Sequence, residues 1–285
     1  MIELLKKIIN LLLFGNFFIA LCAVAMALQT EYLLYGPLAW TPWIGFIFFA
    51  TLFLYAIHRI VGLKKVAPFL KKYRYAIIHS FKSHIKFYAL LGGLGALYFF
   101  FQLSFTSQIL LIIPAILSLG YVLPVVRGNK RLRDFNYIKI FLIACIWAVI
   151  TVIIPVLERS DILGTSLLLL FTERFLFIFA ITLPFDIRDL KIDAHINVKT
   201  IPGRIGIEKT KWLAGVLLIL FFMAALGNYF LGTYSFWVIM ALFFSAVSSL
   251  YFVWQSDKTD GDYFFTGLMD GTMIIQFLLV LLFSL

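Results

Sequence analysis

Apolar stretches of about 20 residues, the length that an α-helix needs to cross a bilayer, recur along the whole chain. Nine such stretches can be drawn, with approximate bounds 8–28, 38–61, 85–102, 106–126, 138–157, 166–185, 212–231, 235–254 and 264–285. Hydrophobic residues make up 63% of the chain and charged residues 13%, which leaves too little polar surface for a water-soluble domain. We therefore predict an all-α, polytopic membrane protein with nine transmembrane helices, forming a single domain over residues 1–285.

The charges of the predicted loops indicate the orientation. The loop after the second span is basic and contains no acid, and the loop after the fourth span has five basic residues against Asp134 alone. The odd-numbered loops are short and nearly uncharged. The positive-inside rule then places the N-terminus and all even-numbered loops in the cytoplasm, and we expect a multi-pass protein of the cytoplasmic membrane. The net charge of +10 favours contact with an anionic lipid leaflet. Nucleic-acid binding would need an aqueous domain, and we expect none.

Three aspartates break the basic pattern of these loops. Asp186, Asp189 and Asp193 lie in the segment LPFDIRDLKIDAHINVKT, directly after the sixth apolar stretch. If that helix continues past Pro184, the three carboxylates fall within an arc of about 60° on one helix face, at about 100° per residue. Like charges on one face repel each other, so the pattern predicts a counter-ion.

Two interpretations of this acidic face are open from the spacing alone. The first is a hard divalent cation, since Mg²⁺ prefers oxygen ligands and is commonly held by one or two carboxylates together with phosphate oxygens. The second is a solvated loop in which the acids pair with the basic residues interleaved among them, Arg188, Lys191 and Lys199.

The segment FDIRDLKIDAHINVKTIPGRIG resembles the second aspartate-rich motif of the UbiA superfamily of intramembrane prenyltransferases. In that family a D-x-x-D-x-x-x-D run leads through a threonine into a short apolar stretch that ends in glycine. Asp186, Asp189 and Asp193 match the aspartates, Thr200 the threonine and Gly206 the glycine. The nine spans and the position of the motif after the sixth span also fit this UbiA-like fold.

The resemblance implies transfer of an isoprenyl group from an isoprenyl diphosphate to a hydrophobic, aromatic or lipid, acceptor. It implies that the three aspartates act as catalytic residues through Mg²⁺, which bridges them to the diphosphate. The metal would neutralise the charge that develops on the leaving diphosphate, and exclusion of water would protect the allylic cation. Aromatic residues, 18% of the chain, are suited to stabilise such a cation through their ring faces.

The first acidic motif of that family, N-x-x-x-D-x-x-x-D at the end of the second helix, is missing. The corresponding segment LFLYAIHRIVGLKKVAPF has His58, Gly62 and Val66 at the three motif positions and contains no Asp, Glu or Asn. Two consequences are open. Arg59, Lys64 and Lys65 replace a metal by binding the diphosphate directly, with His58 contacting phosphate or a single ion. Alternatively, turnover is lost and the chain is an isoprenoid-binding relative.

The loop after the fourth span resembles the family's tyrosine followed by cations. Tyr121 matches the tyrosine, and we predict that it binds the diphosphate together with the cations that follow later in the loop, Arg127, Lys130, Arg131 and Arg133.

Further ionisable residues lie within predicted spans. Glu173 and Arg174 interrupt the sixth span, and Asp270 enters the ninth. Intramembrane charges usually face the interior of a helix bundle and mark functional pathways. An ion- or proton-coupled transporter is therefore a third hypothesis, although no internal repeat of the aspartate motif supports it. Asp270 is also a candidate to complete the missing acidic site.

Overall fold

The computed structural model describes residues 2–65, 82–126, 130–159, 164–259 and 261–284. Apart from a single backbone bridge between Val126 and Lys130, the regular elements of these ranges are helical. The α-helices are α1 (Ile2–Phe14), α2 (Phe17–Tyr35), α3 (Pro42–Lys65), α4 (Lys82–Phe100), α5 (Phe105–Leu110), α6 (Ile112–Val122), α7 (Ile138–Ala148), α8 (Ile154–Glu158), α9 (Thr165–His195), α10 (Ile201–Ile205), α11 (Ile207–Phe230), α12 (Phe236–Gln255) and α13 (Asp270–Phe283).

Two π-helical segments lie next to these helices. Val149–Ile153 joins α7 to α8 within one span, and Phe264–Met269 leads directly into α13. Wider turns of this kind are rare and occur frequently at functional sites.

Eight helical stretches of the described residues are long and apolar enough to cross a membrane: Phe17–Tyr35, Pro42–Gly62, Phe105–Val122, Ile138–Glu158, Thr165–His195, Ile207–Phe230, Phe236–Gln255 and Phe264–Phe283. They correspond to eight of the predicted spans, so the all-α membrane architecture is confirmed. The predicted count of nine is not confirmed. The remaining stretch is helical as α4, but two lysines and a histidine occupy its first five residues and shorten its apolar part.

The first span differs from its predicted bounds of 8–28. The helix breaks at Asn16, whose φ of 71° lies in the left-handed region, a conformation that asparagine tolerates better than most residues. The chain therefore forms a separate α1 before α2 begins at Phe17, and the membrane span runs farther, to Tyr35.

Helix α9 is the longest element and positions the aspartates. It continues through Pro184 to His195, beyond the predicted end at residue 185. Its 31 residues span about 46 Å at about 1.5 Å per residue, which exceeds a hydrocarbon core of about 30 Å. One rigid helix therefore crosses the bundle and presents Asp186, Asp189 and Asp193 at one of its ends.

The buried core surrounds the middle of α9. Phe177 is fully buried, and its ring lies 5.4 Å from the ring of Phe221 on α11. Other buried apolar side chains of α2, α7, α12 and α13 belong to the same core. The core therefore fixes α9 against the helices that bring the remaining residues of the site to its acidic end.

The two charged residues in the middle of α9 are held by separate partners. Glu173 accepts hydrogen bonds from Asn228 at 2.7 Å and Tyr234 at 3.0 Å. Arg174 donates to the backbone oxygen of Met26 at 2.7 Å and to Thr30 at 3.3 Å. These contacts connect α9 to α11 and α2, so both residues act as polar cross-links between helices within the membrane.

Glycines bring α3 and α4 close together. A Cβ atom on Gly92 would lie 2.7 Å from the backbone nitrogen of Phe53, and one on Gly95 would lie 2.5 Å from the ring of Phe49. Small residues at a membrane helix interface allow such a close approach of two backbones. The pairing matters for the site because α3 contributes one wall of the cavity described below.

We predict that Gly92→Ala destabilises the protein. The added methyl group meets backbone atoms of α3 that have little room to move, and overpacking of this kind costs about 1–3 kcal/mol. Thermal unfolding in detergent measures the effect. Gly62→Ala is the matched control, since a Cβ there meets nothing within 4 Å and alanine favours the helix. Equal unfolding temperatures for the two variants would contradict the packing described here.

Candidate functional site

A cavity of about 420 Å³ lies within the bundle, a volume typical of small-molecule sites. Its walls come from α3, α6, α7 and α9 and from the start of α13. Most of the lining is apolar, and charged side chains gather near the C-terminal end of α9. The charged and histidine residues of the lining are His58, Arg59, Arg133, Lys139, Asp186, Arg188, Asp189 and Asp270.

The three aspartates of α9 occupy different environments. Asp186 and Asp189 line the cavity, whereas Asp193 is buried beside it. Asp186 is 2% exposed and Asp193 is 3% exposed, so both carboxylates are almost fully removed from solvent. Buried charges of this kind require a partner of opposite charge.

Lys139, at the start of α7, is that partner. Its ammonium group forms ion pairs with Asp186 and with Asp193, the latter at 3.0 Å. Lys139 is itself 7% exposed. Asp186 and Asp193, seven residues apart on α9, therefore share one buried cation. The two ion pairs connect α9 to α7.

Asp189 has a different and more exposed partner. The guanidinium of its neighbour Arg188 donates to both carboxylate oxygens, at 2.8 and 3.1 Å. Arg188 also lies over the rings of Phe185 and Phe265, at 5.1 and 4.9 Å from their centroids. The Asp189 side chain is 18% exposed, so it reaches the cavity while the arginine is held against aromatic rings.

The arrangement fits a Mg²⁺ ion held by two carboxylates better than one held by three. Among the described residues, no group of three or more His, Cys, Asp or Glu side chains is placed to hold a metal ion together. Lys139 occupies the position between Asp186 and Asp193 that a shared metal would need. Asp186 and Asp189 both face the cavity, and Mg²⁺ is often bound through one or two carboxylates and substrate phosphates.

A cationic and aromatic cluster lines the cavity at the position of the missing first motif. An arginine N–H of Arg133 donates to Nε2 of His58 at 2.6 Å. Because arginine has no acceptor, His58 accepts through a neutral ring. The ring of Tyr121 stacks on His58 at 5.9 Å and lies 5.4 Å from the Arg133 guanidinium. His58 of α3, Tyr121 of α6 and Arg133 of the turn before α7 are therefore in mutual contact.

Arg133 remains charged in this cluster. Burial lowers the pKa of its guanidinium, but the negative charges of nearby groups, among them Asp193, Asp189 and Asp134, outweigh burial and raise the pKa above its ordinary value. Arg133 thus supplies a permanent positive charge at the cavity wall.

Arg59 also lines the cavity, but its guanidinium is engaged by the end of α1. It donates to the backbone oxygens of Phe14 and Leu13, the latter at 3.2 Å. These carbonyls have no partner within the helix, and a cation is favourable at a helix C-terminus. Lys64 and Lys65 are the last residues of α3, but their side chains lie outside the described part of the chain, as does all of Val66.

Of the other cations predicted in this loop, the two that the structure describes, Lys130 and Arg131, do not line the cavity. Lys130 is exposed, and Arg131 is buried and held by Asp134 at 2.8 Å. Arg127 lies outside the described residues. The structure thus brings Tyr121 and Arg133 to the cavity, while the Arg131–Asp134 pair closes the short turn that contains Arg133.

Thr200 and Gly206 shape the chain that follows the aspartates. The Thr200 hydroxyl accepts a hydrogen bond from the Gly203 amide at 3.4 Å and so caps the short helix α10. Gly206 has a φ of 85° and lets the chain turn from α10 into α11. Next to this turn, Lys199 donates its amide to Asn136 at 2.9 Å and accepts from the amide of Tyr137 at 3.0 Å. This contact fixes the start of α7, and with it Lys139.

The family model of the UbiA prenyltransferase family matches residues 78–277, which is more than half of the chain. The chain belongs to the UbiA prenyltransferase family. None of the curated proteins is similar enough to this UbiA-family chain to count as a relative.

Solved structures of UbiA homologues share its fold. A UbiA homologue from Aeropyrum pernix K1 in the apo state has a TM-score of 0.68 at 12% identity, with 95% of this chain and 98% of that chain covered. A UbiA homologue from Archaeoglobus fulgidus bound to DMAPP and Mg²⁺ has a TM-score of 0.63 at 11% identity, with the same coverage. A digeranylgeranylglyceryl phosphate synthase has a TM-score of 0.59 at 15% identity, covering 98% and 97%.

Sequence reasoning gave no role to Lys139, the cation at the centre of the acidic face. It was counted only among the basic residues of a loop, because its distance of 47 positions from Asp186 hides their contact. A signal was available, since a lysine at the first turn of an apolar span is costly without a buried partner. Arg188 was considered as a partner of the acids, and its contact with Asp189 agrees with that interpretation in part.

We predict that Asp193→Asn destabilises the protein more than Asp189→Asn. Removing the Asp193 charge breaks one of the two ion pairs of the buried Lys139 while Asp186 still balances its charge, so we expect a cost of about 1.5–3 kcal/mol, the contribution of a hydrogen bond to a charged group. Asp189 is more exposed, so its loss is better tolerated. Thermal unfolding of both variants in detergent tests this, with Lys191→Met as an exposed control on the same helix. Equal stability of Asp193→Asn and the wild type would refute the role of Lys139 as a shared counter-ion.

Proposed function

We propose that this UbiA-family protein transfers an isoprenyl group from an isoprenyl diphosphate to a hydrophobic acceptor, with Mg²⁺ assistance. The observation that supports it best is the composition of the cavity wall. Two carboxylates of α9 and the cluster of Arg133, His58 and Tyr121 line the same largely apolar cavity of about 420 Å³. A diphosphate with an apolar tail has the same division into a charged and an apolar part.

The charged end of the cavity is suited to the diphosphate. Asp186 and Asp189 would hold Mg²⁺, and the ion would supply charge neutralisation for the leaving diphosphate when bound. Arg133 would contact a diphosphate oxygen directly, and Tyr121 and His58 hold the guanidinium in place. Arginine donors in a fixed geometry are well matched to phosphate oxygens. Asp193 would act indirectly, by orienting Lys139.

This arrangement explains how one acidic motif can serve without the other. His58 occupies the position of the first-motif asparagine, close to the positions at which the family motif has its carboxylates. In this chain His58 instead accepts a hydrogen bond from the Arg133 guanidinium. We infer that a permanent cation of the protein replaces part of the metal charge on this wall. Arg59 would add positive charge to the cavity wall, although its guanidinium is held by the end of α1. The exposed Lys130 does not line the cavity.

The apolar part of the cavity is suited to the isoprenyl tail and the acceptor. Phe46, Phe53, Trp147 and Phe185 line it and offer ring faces to a developing allylic cation. A dry cavity also protects that cation from water. We further propose that the charged end faces the cytoplasm, as the basic loops indicate, because isoprenyl diphosphates are water-soluble at their head group.

We predict that Asp186→Asn and Asp189→Asn each lower kcat/KM by about 100-fold or more, since removing one group that stabilises transition-state charge costs about 10²–10³. The purified chain in lipid nanodiscs is given Mg²⁺, an extract of its native membranes and radiolabelled dimethylallyl, geranyl, farnesyl and geranylgeranyl diphosphate. Label in new lipid-soluble products is counted. Asp257→Asn is the matched control, because its carboxylate pairs with Lys211 at 2.8 Å away from the cavity.

The same assay separates the enzyme from an isoprenoid-binding protein. Binding of an isoprenyl diphosphate without any labelled product in the wild type would favour the non-catalytic interpretation. Transfer that is unchanged in both aspartate variants, with all proteins folded by thermal unfolding, would reject the role given to Asp186 and Asp189.

We predict that Arg133→Met weakens diphosphate binding by about 10- to 100-fold at saturating Mg²⁺. Hydrogen bonds to charged groups contribute about 1.5–3 kcal/mol, and about 1.4 kcal/mol corresponds to a factor of ten. Equilibrium binding of the radiolabelled diphosphates measures the change. Lys130→Met, an exposed lysine three residues away, should retain wild-type affinity. An unchanged affinity in Arg133→Met would show that metal alone holds the diphosphate.

A further inference from the structure

Asp270 is a second acidic group of the cavity that the diphosphate site does not use. It is the first residue of α13 and lines the same cavity as Asp186 and Asp189. Of the charged lining residues in the described chain, it alone comes from the last two spans. A carboxylate inside a membrane span is costly and usually functional.

Asp270 lies close to two other helices, α2 and α3. Its backbone oxygen accepts a hydrogen bond from the Cys22 thiol at 3.2 Å, within the second turn of α2. Asp270 also lies within electrostatic range of Tyr55, which precedes His58 by three residues, or about 4.5 Å along α3. On its own span, Asp270 follows Phe265 by five residues, and the Phe265 ring lies against Arg188 at the charged end.

Both π-helical segments of the described chain adjoin this part of the cavity. Asp270 directly follows Phe264–Met269, and Thr266 of that segment lines the cavity. Ile150 of the other segment, Val149–Ile153, lines it as well. Just before that segment, Trp147 lines the cavity, as does Tyr55 of α3. Irregular helix turns thus shape the wall around the carboxylate.

The neighbouring hydroxyl groups are directed into their own helices. Thr266 donates to the backbone oxygen of Asp262 at 2.6 Å, and Thr182 donates to that of Ile178 at 2.8 Å. The hydroxyl groups of these two lining residues therefore already donate to backbone oxygens. A carboxylate is a strong hydrogen-bond acceptor, so Asp270 is chemically suited to a molecule that brings a hydrogen-bond donor.

We propose that Asp270 forms the acceptor subsite and binds a hydroxyl-bearing acceptor, an alcohol or a phenol, as the general base of the transfer. In this step the bond between C1 of the isoprenyl group and the diphosphate oxygen breaks, and the electron pair leaves with the diphosphate. A bond forms between C1 and the acceptor, and the hydroxyl proton passes to the Asp270 carboxylate.

The inference rests on the proposed function and assigns its second substrate. The diphosphate would occupy the end formed by Asp186, Asp189 and Arg133, and the acceptor hydroxyl would approach C1 from the side of Asp270. Separate carboxylates for the two substrates explain why an acid is retained in the last span although the first acidic motif is absent.

The test compares diphosphate binding with group transfer in Asp270→Asn. Full-length wild-type and variant protein in lipid nanodiscs are given Mg²⁺, the four radiolabelled diphosphates named above and the extract of native membranes. We expect diphosphate affinity within about threefold of the wild type and transfer to extract components lowered about 10²–10⁴-fold, the usual contribution of a general base. Asp270→Glu should restore part of the transfer. Asp262→Asn, an acid of the same segment that does not line the cavity, is the control.

Each outcome distinguishes the inference from the proposed function. Wild-type transfer that persists in Asp270→Asn would overturn the inference and leave the proposed function standing. Loss of diphosphate binding in folded Asp270→Asn would place Asp270 in the diphosphate site and also overturn it. Labelled products of the wild type that contain a new bond to carbon or nitrogen of an acceptor without a hydroxyl group, identified by mass spectrometry, would overturn the acceptor class. Absence of any transfer in the wild type would reject the proposed function, and the inference with it.

Discussion

The ion pairs of Lys139 with Asp186 and Asp193 are the constraint on which the site depends. Three carboxylates on one face of a membrane helix would repel each other and lose hydration, so at least one cation must be supplied within the bundle. The chain supplies it from the first turn of α7. The ion pair fixes the rotation of α9 relative to α7, and thereby which aspartates reach the cavity: Asp186 and Asp189 do, and Asp193 does not.

A second consequence is that part of the positive charge at the site belongs to protein side chains and does not depend on a bound metal ion. Lys139 neutralises the buried side of the acidic face permanently, and Arg133 places a permanent charge on the opposite wall. Of the three aspartates of α9, Asp186 and Asp189 line the cavity, where the proposed Mg²⁺ would arrive with substrate. A family member that lacks the first acidic motif is physically reasonable on these terms, since part of the required positive charge belongs to the protein itself.

Some features of the site could be predicted from the sequence, and others could not. The helical stripe of Asp186, Asp189 and Asp193 was predictable, because i, i+3 and i+7 share a face once the helix passes Pro184. The contact between His58 and Arg133 was not predictable, because it joins positions 75 residues apart on different helices. The break at Asn16 was missed as well, since an apolar run of the right length does not reveal one left-handed residue.

The sequence by itself determined that this chain is an all-α membrane protein, and it predicts one acidic motif of the UbiA family without the other. Hydrophobic run length and residue spacing along a helix are local properties, so they can be read directly from the chain. Only the tertiary structure decided which charges meet: Lys139 between two aspartates, Arg133 against His58, and Asp270 on the wall of the same cavity. Those contacts depend on the rotation and depth of whole helices, which are set by packing between distant segments.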